Sequence, residues 1–228
     1  MKLASLFALS TLLFFFGCHY PDDSSTEDTG TKSDIYNINR KNTKELIEAF
    51  DDKERLLWQK PEEIMSFLGD LTNVSVLDLG AGSGYFTFQL GKYSNRVVAA
   101  DTNEELLAHI QKRIDQKGSS NITVRKAEPN HPPINYKGEF KMVLMVNTFY
   151  HIQDRPSYFK ELADSMKVGG NLVIVDFKRG HFPIGPDDRD KMHFRKLIYE
   201  IESYGFKKAK SDRKTLPYQF MMFFRRTS

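Results

Sequence analysis

Beyond residue 35, two kinds of segment alternate along the chain, and they differ in how their apolar residues are spaced. Short continuous apolar runs, such as "VSVLDL" and "FKMVLMV", alternate with segments whose apolar residues recur every three to four positions, as in "NEELLAHIQKRIDQ". Continuous apolar runs are typical of strands that are buried on both faces of a sheet, and the longer period predicts helices. The alternation predicts a doubly wound α/β fold with a mostly parallel sheet.

The same pattern predicts elements at both ends of this region. "NTKELIEAFDDKERLLWQ" predicts one helix that begins at Asn42 or Thr43, and "PEEIMSFLG" predicts a second that begins at Pro61 and ends at Gly69. Towards the C-terminus, "DDRDKMHFRKLIYEIESYG" predicts one long helix. "FKKAKSD" and "YQFMMFFR" predict two closing strands.

Residues 1–34 have a different composition. Lys2 precedes an apolar run that ends at Phe16 and is followed by Gly17 and Cys18. The run is short for a membrane-spanning helix and resembles a bacterial lipoprotein signal. We therefore expect a lipoprotein-type signal peptide over residues 1–18, with export to the periplasm or cell envelope and membrane association through the N-terminus. An ordinary signal peptide or an uncleaved anchor is the alternative. The polar, acidic residues 19–34 predict a disordered tether.

Charge and cysteine content exclude several classes of partner. The formal net charge is +3, and Cys18 is the only cysteine in the sequence. A single cysteine cannot form an intrachain disulfide or a thiolate metal cluster. The basic residues are interspersed with acidic ones, so we expect no nucleic-acid partner.

Three glycines follow the first predicted strand, in "VSVLDLGAGSGYF". Gly80, Gly82 and Gly84 have no Cβ atom, so the backbone can turn sharply and approach a ligand closely. In a doubly wound sheet this loop lies at the carboxyl ends of the strands, where nucleotide-like ligands bind. The second strand ends at Asp101, whose carboxylate can accept hydrogen bonds from both hydroxyls of a ribose. The alternative is that the glycines only make turns and Asp101 only caps a helix.

Other nucleotide-binding motifs fit this loop less well. The dinucleotide fingerprint G-x-G-x-x-G needs glycine where this chain has Tyr85. No P-loop lysine follows the glycines, which argues against a nucleoside triphosphate. An NAD-dependent oxidoreductase is therefore disfavoured.

The segment "LDLGAGSGYFTFQL" strongly resembles the first motif of the class I S-adenosylmethionine-dependent methyltransferases. "WQKPEEIMSFLG", "NTFYHI", "MKVGGNLVIVDFKRG" and "LPYQF" are similar to a bacterial branch near the quinone C-methyltransferases and arsenite methyltransferases. The resemblance implies a seven-stranded sheet whose last strand is antiparallel, and S-adenosylmethionine as the cofactor. It also implies a methyltransferase domain over residues 35–228 with an N-terminal helical lid at about residues 40–70.

The resemblance also implies roles for individual residues by position. The methionine part of the cofactor would lie against Asp78, Gly80, Ala81, Gly82 and Gly84. Asp101 would bind the ribose, and Thr102 would flank the adenine ring. Glu128 would reach the adenine amino group, and Asn147 would contact the cofactor on its substrate side.

The residues after the fourth predicted strand bear on the methyl acceptor. They are Asn147, Thr148, Phe149 and Tyr150, without the two prolines of amino-methylating nucleic-acid enzymes. Methylation through a cysteine nucleophile and arsenite binding both require cysteines, and the only one lies in the signal. A catechol-type metal site would need an acid where Asn147 stands, so we expect no metal.

These exclusions leave a small acceptor that is apolar or lipid-associated and is methylated on carbon or oxygen. His151 is the candidate general base, because its side chain titrates near neutrality. Tyr150 is a candidate for orienting the substrate. The alternative for both is packing beside the loop. A second hypothesis is a lipid-anchored binding protein with this fold but without turnover, since S-adenosylmethionine is made in the cytoplasm. The sequence predicts neither the acceptor's identity nor the oligomeric state.

Overall fold

The computed structural model describes residues 42–227. The predicted signal peptide, tether and first residues of the predicted domain lie outside this range. Within it the helices are α1 (Thr43–Phe50), α2 (Arg55–Gln59), α3 (Pro61–Leu68), α4 (Tyr85–Leu90), α5 (Glu104–Lys117), α6 (Arg155–Ser165) and α7 (Phe194–Glu202). The strands are β1 (Ser75–Leu79), β2 (Arg96–Asp101), β3 (Ile122–Lys126), β4 (Met142–Val146), β5 (Asn171–Phe177), β6 (Phe206–Asp212) and β7 (Gln219–Arg226). None of these helices is long and apolar enough to cross a bilayer.

The strands form one seven-stranded sheet in the order β3-β2-β1-β4-β5-β7-β6. Strand β7 is antiparallel to both of its neighbours, and the other pairings are parallel. This confirms the predicted sheet, including its antiparallel last strand. The strand order reverses between β1 and β4, and this reversal is the point where doubly wound sheets bind their ligands.

Both faces of the sheet are covered by helices. The apolar side chains of α3, α4 and α5 pack on one face, and those of α6 and α7 pack on the other. Each of the five residues of β4 is buried, and successive side chains enter opposite clusters, as Val143 and Leu144 do. A continuous apolar run is therefore required where a strand lies at the centre of a three-layer structure.

The prediction of one helix over residues 42–59 was wrong, because α1 ends at Phe50 and α2 begins at Arg55. Between them, Asp52 Oδ1 accepts a hydrogen bond from the Glu54 backbone amide at 2.9 Å. Such a local side-chain contact competes with the helical hydrogen bonds. The predicted cap is confirmed, since Asn42 Oδ1 accepts from the Glu45 amide at 3.0 Å.

The long helix predicted near the C-terminus was also wrong. Residues Asp188–Asp190 form a short 3-10 turn, and α7 begins only at Phe194. The Asp188 carboxylate accepts from the Gly180 amide at 2.5 Å and pairs with Arg179 at 2.9 Å. These contacts hold the turn against the loop after β5, so the chain cannot continue as one helix.

A buried carboxylate in the segment before β4 connects β2 to β3. Glu139 is 4% exposed. It accepts hydrogen bonds from Arg125 at 2.7 and 2.9 Å, from Arg96 at 2.7 Å and from the Asn135 amide at 2.8 Å. Burial raises the pKa of Glu139, but the hydrogen bonds from Arg125, Asn135 and Arg96 outweigh it and lower the pKa to about 2.

We expect Glu139→Gln to lower the free energy of unfolding at pH 7 by about 3 kcal/mol, because two guanidinium groups lose a buried partner. The folded pKa of about 2 lies below the ordinary value of 4.5. The carboxylate's contribution is therefore fully present above that ordinary value and is lost as the pH falls towards 2.

Urea unfolding of the wild type and the variant at pH 7 and pH 3 tests this, and the difference should shrink at pH 3. Glu48→Gln, at an exposed position in α1, is the control and should change stability by less than about 0.5 kcal/mol. An equal difference at both pH values would contradict the assignment.

Candidate functional site

The loop after β1 turns back on itself through glycines with positive φ. Gly80, Gly82 and Gly84 have φ values of 76°, 59° and 85°. The amides of Gly80 and Ala81 donate to the Ala100 carbonyl at 2.8 and 3.0 Å. This anchors the loop to the end of β2.

The loop also touches the segment that follows β4. A Cβ atom on Gly80 would lie 2.2 Å from Thr148 Oγ1. No side chain fits between the two segments at this distance. The Thr148 side chain therefore packs directly against the backbone of Gly80, where the carboxyl ends of β1 and β4 meet.

Asp101 faces this loop, as predicted. Its Oδ2 accepts from the Gly82 amide at 2.9 Å, and its Oδ1 accepts from the Asn103 amide at 2.9 Å. Each carboxylate oxygen can accept more than one hydrogen bond, so capacity remains for hydroxyl groups of a ligand.

Asp78 lies beneath the loop and is 2% exposed. Its Oδ2 accepts from the Thr87 hydroxyl at 2.6 Å, which ties β1 to α4. Burial raises the pKa of Asp78 to about 6, with the Thr87 hydrogen bond opposing this shift and the Asp101 charge adding to it. Asp78 therefore joins the two elements that flank the glycine loop, β1 and α4.

Other predicted cofactor residues lie at different depths. The Ala81 side chain belongs to the apolar core, so only its backbone can meet a ligand. Thr102 and Glu128 are exposed at the carboxyl ends of β2 and β3. The Thr102 carbonyl accepts from Lys126 Nζ at 2.6 Å. Both residues are accessible to a ligand there, and their contact with adenine stays a prediction.

Asn147 follows β4 and is half-buried, with φ of 57°. This left-handed conformation is uncommon outside glycine, and asparagine tolerates it better than most residues. The Asn147 amide donates to the Val175 carbonyl at 2.9 Å, and its Oδ1 accepts from Gln219 Nε2 at 2.5 Å. The residue is therefore fixed at the carboxyl ends of β4 and β5.

The two predicted catalytic residues lie in the 3-10 turn Phe149–His151. The Tyr150 hydroxyl donates to Asp190 Oδ1 at 2.9 Å, and this hydrogen bond raises the pKa of Tyr150. His151 is accessible to solvent. Reduced hydration nonetheless lowers the pKa of His151, against the opposing charges of Asp101 and Asp190.

Helix α1 lies over the glycine loop. A Cβ on Gly82 would lie 3.1 Å from the Phe50 ring. Asp51 accepts from Ser83 Oγ at 2.7 Å and from Arg113 Nη1 at 3.2 Å, and Arg113 also donates to the Ser83 carbonyl at 2.8 Å. The predicted helical lid of about residues 40–70 corresponds to α1, α2 and α3, and its action as a lid stays a prediction.

Sequence reasoning missed the contacts of Asp51, Ser83 and Arg113. Asp51 follows α1, Ser83 lies in the glycine loop and Arg113 lies in α5. The sequence around each of them is typical of a protein surface and carries no motif. Only the glycine loop itself carried a signal in the sequence.

Residues 76–170 match the family model of a methyltransferase domain. The chain is similar to class I S-adenosylmethionine-dependent methyltransferases. It is 29% identical over 138 residues to a demethylmenaquinone methyltransferase of Lactococcus lactis subsp. lactis, covering 58% of this chain and 52% of that protein. It is 27% identical over 179 residues to a tRNA U34 carboxymethyltransferase of Shewanella frigidimarina, covering 68% of this chain and 53% of that protein. The chain thus spans about half the length of these curated relatives.

The fold of the chain also matches solved structures. A SAM-dependent methyltransferase from Aquifex aeolicus superposes with a TM-score of 0.75 at 23% identity, over 82% of this chain and 100% of that one. The match confirms the fold.

The residues of the loop fit S-adenosylmethionine, the cofactor of this family. Positive φ at the loop glycines lets the backbone turn sharply beside the carboxyl end of β1, and Asp101 retains hydrogen-bonding capacity for a ligand. The Tyr85 hydroxyl, next to Gly84, is buried without a hydrogen-bond partner among residues 42–227. Within the same range, no group of three or more His, Cys, Asp or Glu side chains is arranged to hold a metal ion.

We expect Gly80→Ala to lower both stability and cofactor affinity more than Gly118→Ala does. Both glycines have positive φ, at 76° and 63°, so alanine is strained at each by about 1 kcal/mol. Only at Gly80 does the added Cβ collide with Thr148, whereas nothing lies within 4 Å at Gly118. Urea unfolding and calorimetry with S-adenosylhomocysteine measure the two effects. Equal losses in the two variants would contradict a close approach at Gly80.

Proposed function

We propose that the protein transfers a methyl group from S-adenosylmethionine to a small acceptor that is apolar or lipid-associated, at carbon or oxygen. The observation that carries the proposal is the Asp101 carboxylate turned towards the glycine loop, 2.9 Å from the Gly82 amide. The similar proteins named above are enzymes, which supports turnover over a binding protein that has lost it.

The acceptor class is supported by a relative and by exclusions. The Lactococcus relative is named for a demethylated quinone. The segment Asn147-Thr148-Phe149-Tyr150 lacks the prolines of amino-methylating nucleic-acid enzymes, and no cysteine lies within residues 42–227. A relative named for tRNA makes RNA the competing acceptor, which the assay below includes.

When bound, S-adenosylmethionine supplies an electrophilic methyl group on a positively charged sulfur. The chain itself must bind the nucleoside, align the acceptor and keep out water. Asp101 and the glycine loop would hold the nucleoside, and the Phe50 ring packs over Gly82. His151 accepts the proton that the acceptor loses when the new bond to carbon or oxygen forms.

The proposal extends to location. The apolar run and Cys18 of residues 1–18 support a lipid anchor that would hold the domain at a membrane, where apolar acceptors concentrate. The assay therefore offers lipid extract as a source of acceptors.

We expect Asp101→Asn to weaken binding of S-adenosylhomocysteine by about 10- to 100-fold, because charged hydrogen bonds to the ribose contribute about 1.5–3 kcal/mol. Calorimetry measures the affinity, and radiolabelled methyl donor with fractionated lipids, small molecules and tRNA measures transfer. Asp115→Asn, on α5 away from the loop, is the control and should bind normally. Absence of micromolar binding by the wild type would contradict the proposal.

We expect His151→Asn to lower the methyl-transfer rate by about 10²- to 10⁴-fold while leaving cofactor affinity unchanged. The pKa of His151 lies below its ordinary value of 6.5. The neutral base is therefore present at pH 7 and above, and the wild-type rate should fall only when the pH drops below that ordinary value. His181→Asn, at an exposed position after β5, is the control. A change below threefold at His151 would show that its ring only packs.

A further inference from the structure

Four polar side chains form a connected series between α2 and the carboxyl end of β4. Arg55 Nε donates to Gln59 Oε1. Gln59 Nε2 donates to Gln219 Oε1 at 3.1 Å, and Gln219 Nε2 donates to Asn147 Oδ1 at 2.5 Å. Both glutamines are fully buried, and Arg55 is 8% exposed. Buried amides at this depth must be hydrogen-bonded, so the series has little freedom to rearrange.

The arginine determines which way every amide in the series is turned. A guanidinium group has donors and no acceptor, so Gln59 must present its oxygen to Arg55. Its nitrogen then faces Gln219, which in turn must present oxygen to Gln59 and nitrogen to Asn147. Asn147 is left with its oxygen towards Gln219. The remaining donor of the series is Asn147 Nδ2.

The end of the series lies at the ligand-binding edge of the sheet. Among residues 42–227, Asn147 Nδ2 donates no hydrogen bond that the structure shows. Asn147 is also held at φ of 57°, and such strain is typically retained where function needs it. A guanidinium charge at the far end polarises each amide and strengthens the last donor.

We propose that Arg55, Gln59 and Gln219 are positioning residues that hold Asn147 with its Nδ2 turned into the cleft, as a hydrogen-bond donor to an oxygen of the ligand. The inference rests on the proposed function. The oxygen belongs either to the carboxylate of the cofactor or to a carbonyl or phenolic group of the acceptor.

The series also makes the orientation of the Asn147 Nδ2 donor depend on the position of α2. Arg55 and Gln59 lie on this short helix, and the neighbouring Trp58 packs against Phe177 at the end of β5 with ring centroids 5.8 Å apart. Without α2 in this position, Gln219 would lose the partner that fixes its orientation, and the Asn147 side-chain amide would be free to turn over.

Gln59→Glu is the sharpest test. A carboxylate at position 59 still pairs with Arg55, so the variant should fold and be at least as stable. It has no donor for Gln219, however, so Gln219 must turn its nitrogen towards position 59 and its oxygen towards Asn147. Asn147 then donates Nδ2 to Gln219 and presents its oxygen to the ligand. A purely structural role predicts no loss from this change.

The reversal can be observed without any ligand. In ¹⁵N-labelled full-length protein, the Asn147 side-chain amide should exchange quickly with solvent in the wild type and slowly in Gln59→Glu. Asn147→Asp identifies the resonance and, since it also has no donor, should show the same functional loss. Gln89→Glu is the matched control, because Gln89 also accepts from a cation, Lys92, at 2.7 Å.

Two measurements distinguish the sources of the oxygen. If it belongs to the cofactor, Gln59→Glu should weaken S-adenosylhomocysteine binding about 10- to 100-fold. If it belongs to the acceptor, cofactor affinity should stay within twofold and kcat/KM for the acceptor should fall by a similar factor. The proposal would be overturned if Gln59→Glu left both the cofactor affinity and kcat/KM for the acceptor unchanged, or if it left the exchange of the Asn147 side-chain amide unchanged. Failure of the proposed function looks different, since no acceptor is then methylated by the wild type while the amide exchange still reverses.

Discussion

The hydrogen bond between the Gly82 amide and the Asp101 carboxylate is the contact on which the cleft depends. It joins the loop after β1 to the end of β2, and the loop amides of Gly80 and Ala81 join the same strand through the Ala100 carbonyl. Glycine is required because the loop adopts positive φ and because Thr148 approaches it from the other side. The sheet provides the rigid frame, the loop provides a tightly turned glycine backbone, and the end of β2 provides one carboxylate.

Several polar groups around this cleft, some of them buried, are paired across different elements. Asp78 is bonded to Thr87, Asp51 to Ser83 and Arg113, and the amides of Gln59 and Gln219 to each other. An unpaired buried group costs about 1–3 kcal/mol, so each pair favours one arrangement over its alternatives. The N-terminal helices are thus attached to the cleft by specific hydrogen bonds in addition to apolar packing. Their attachment links the chain before β1 to the residues after β4 and within β7.

The central fold could be predicted because its signals are local and repeated. Each central strand is a continuous apolar run, and each covering helix has a single apolar face. The two wrong helices, over residues 42–59 and near the C-terminus, both contain an aspartate whose carboxylate binds backbone amides of a turn. A periodic pattern does not reveal such contacts. In the second case the bonded amide, that of Gly180, belongs to another loop.

The sequence by itself determined the order of most helices and strands along the chain, the glycine loop and the carboxylate at Asp101, since each depends on residues that are close together in the chain. The tertiary structure alone decided which side chains surround that loop. Phe50, Arg113 and Gln219 come from distant segments, and hydrogen bonds such as the one between Gln59 and Gln219 join residues 160 positions apart. Contacts of this length arise only when the sheet brings its carboxyl ends together, because no local periodicity encodes which polar partner a folded chain will meet.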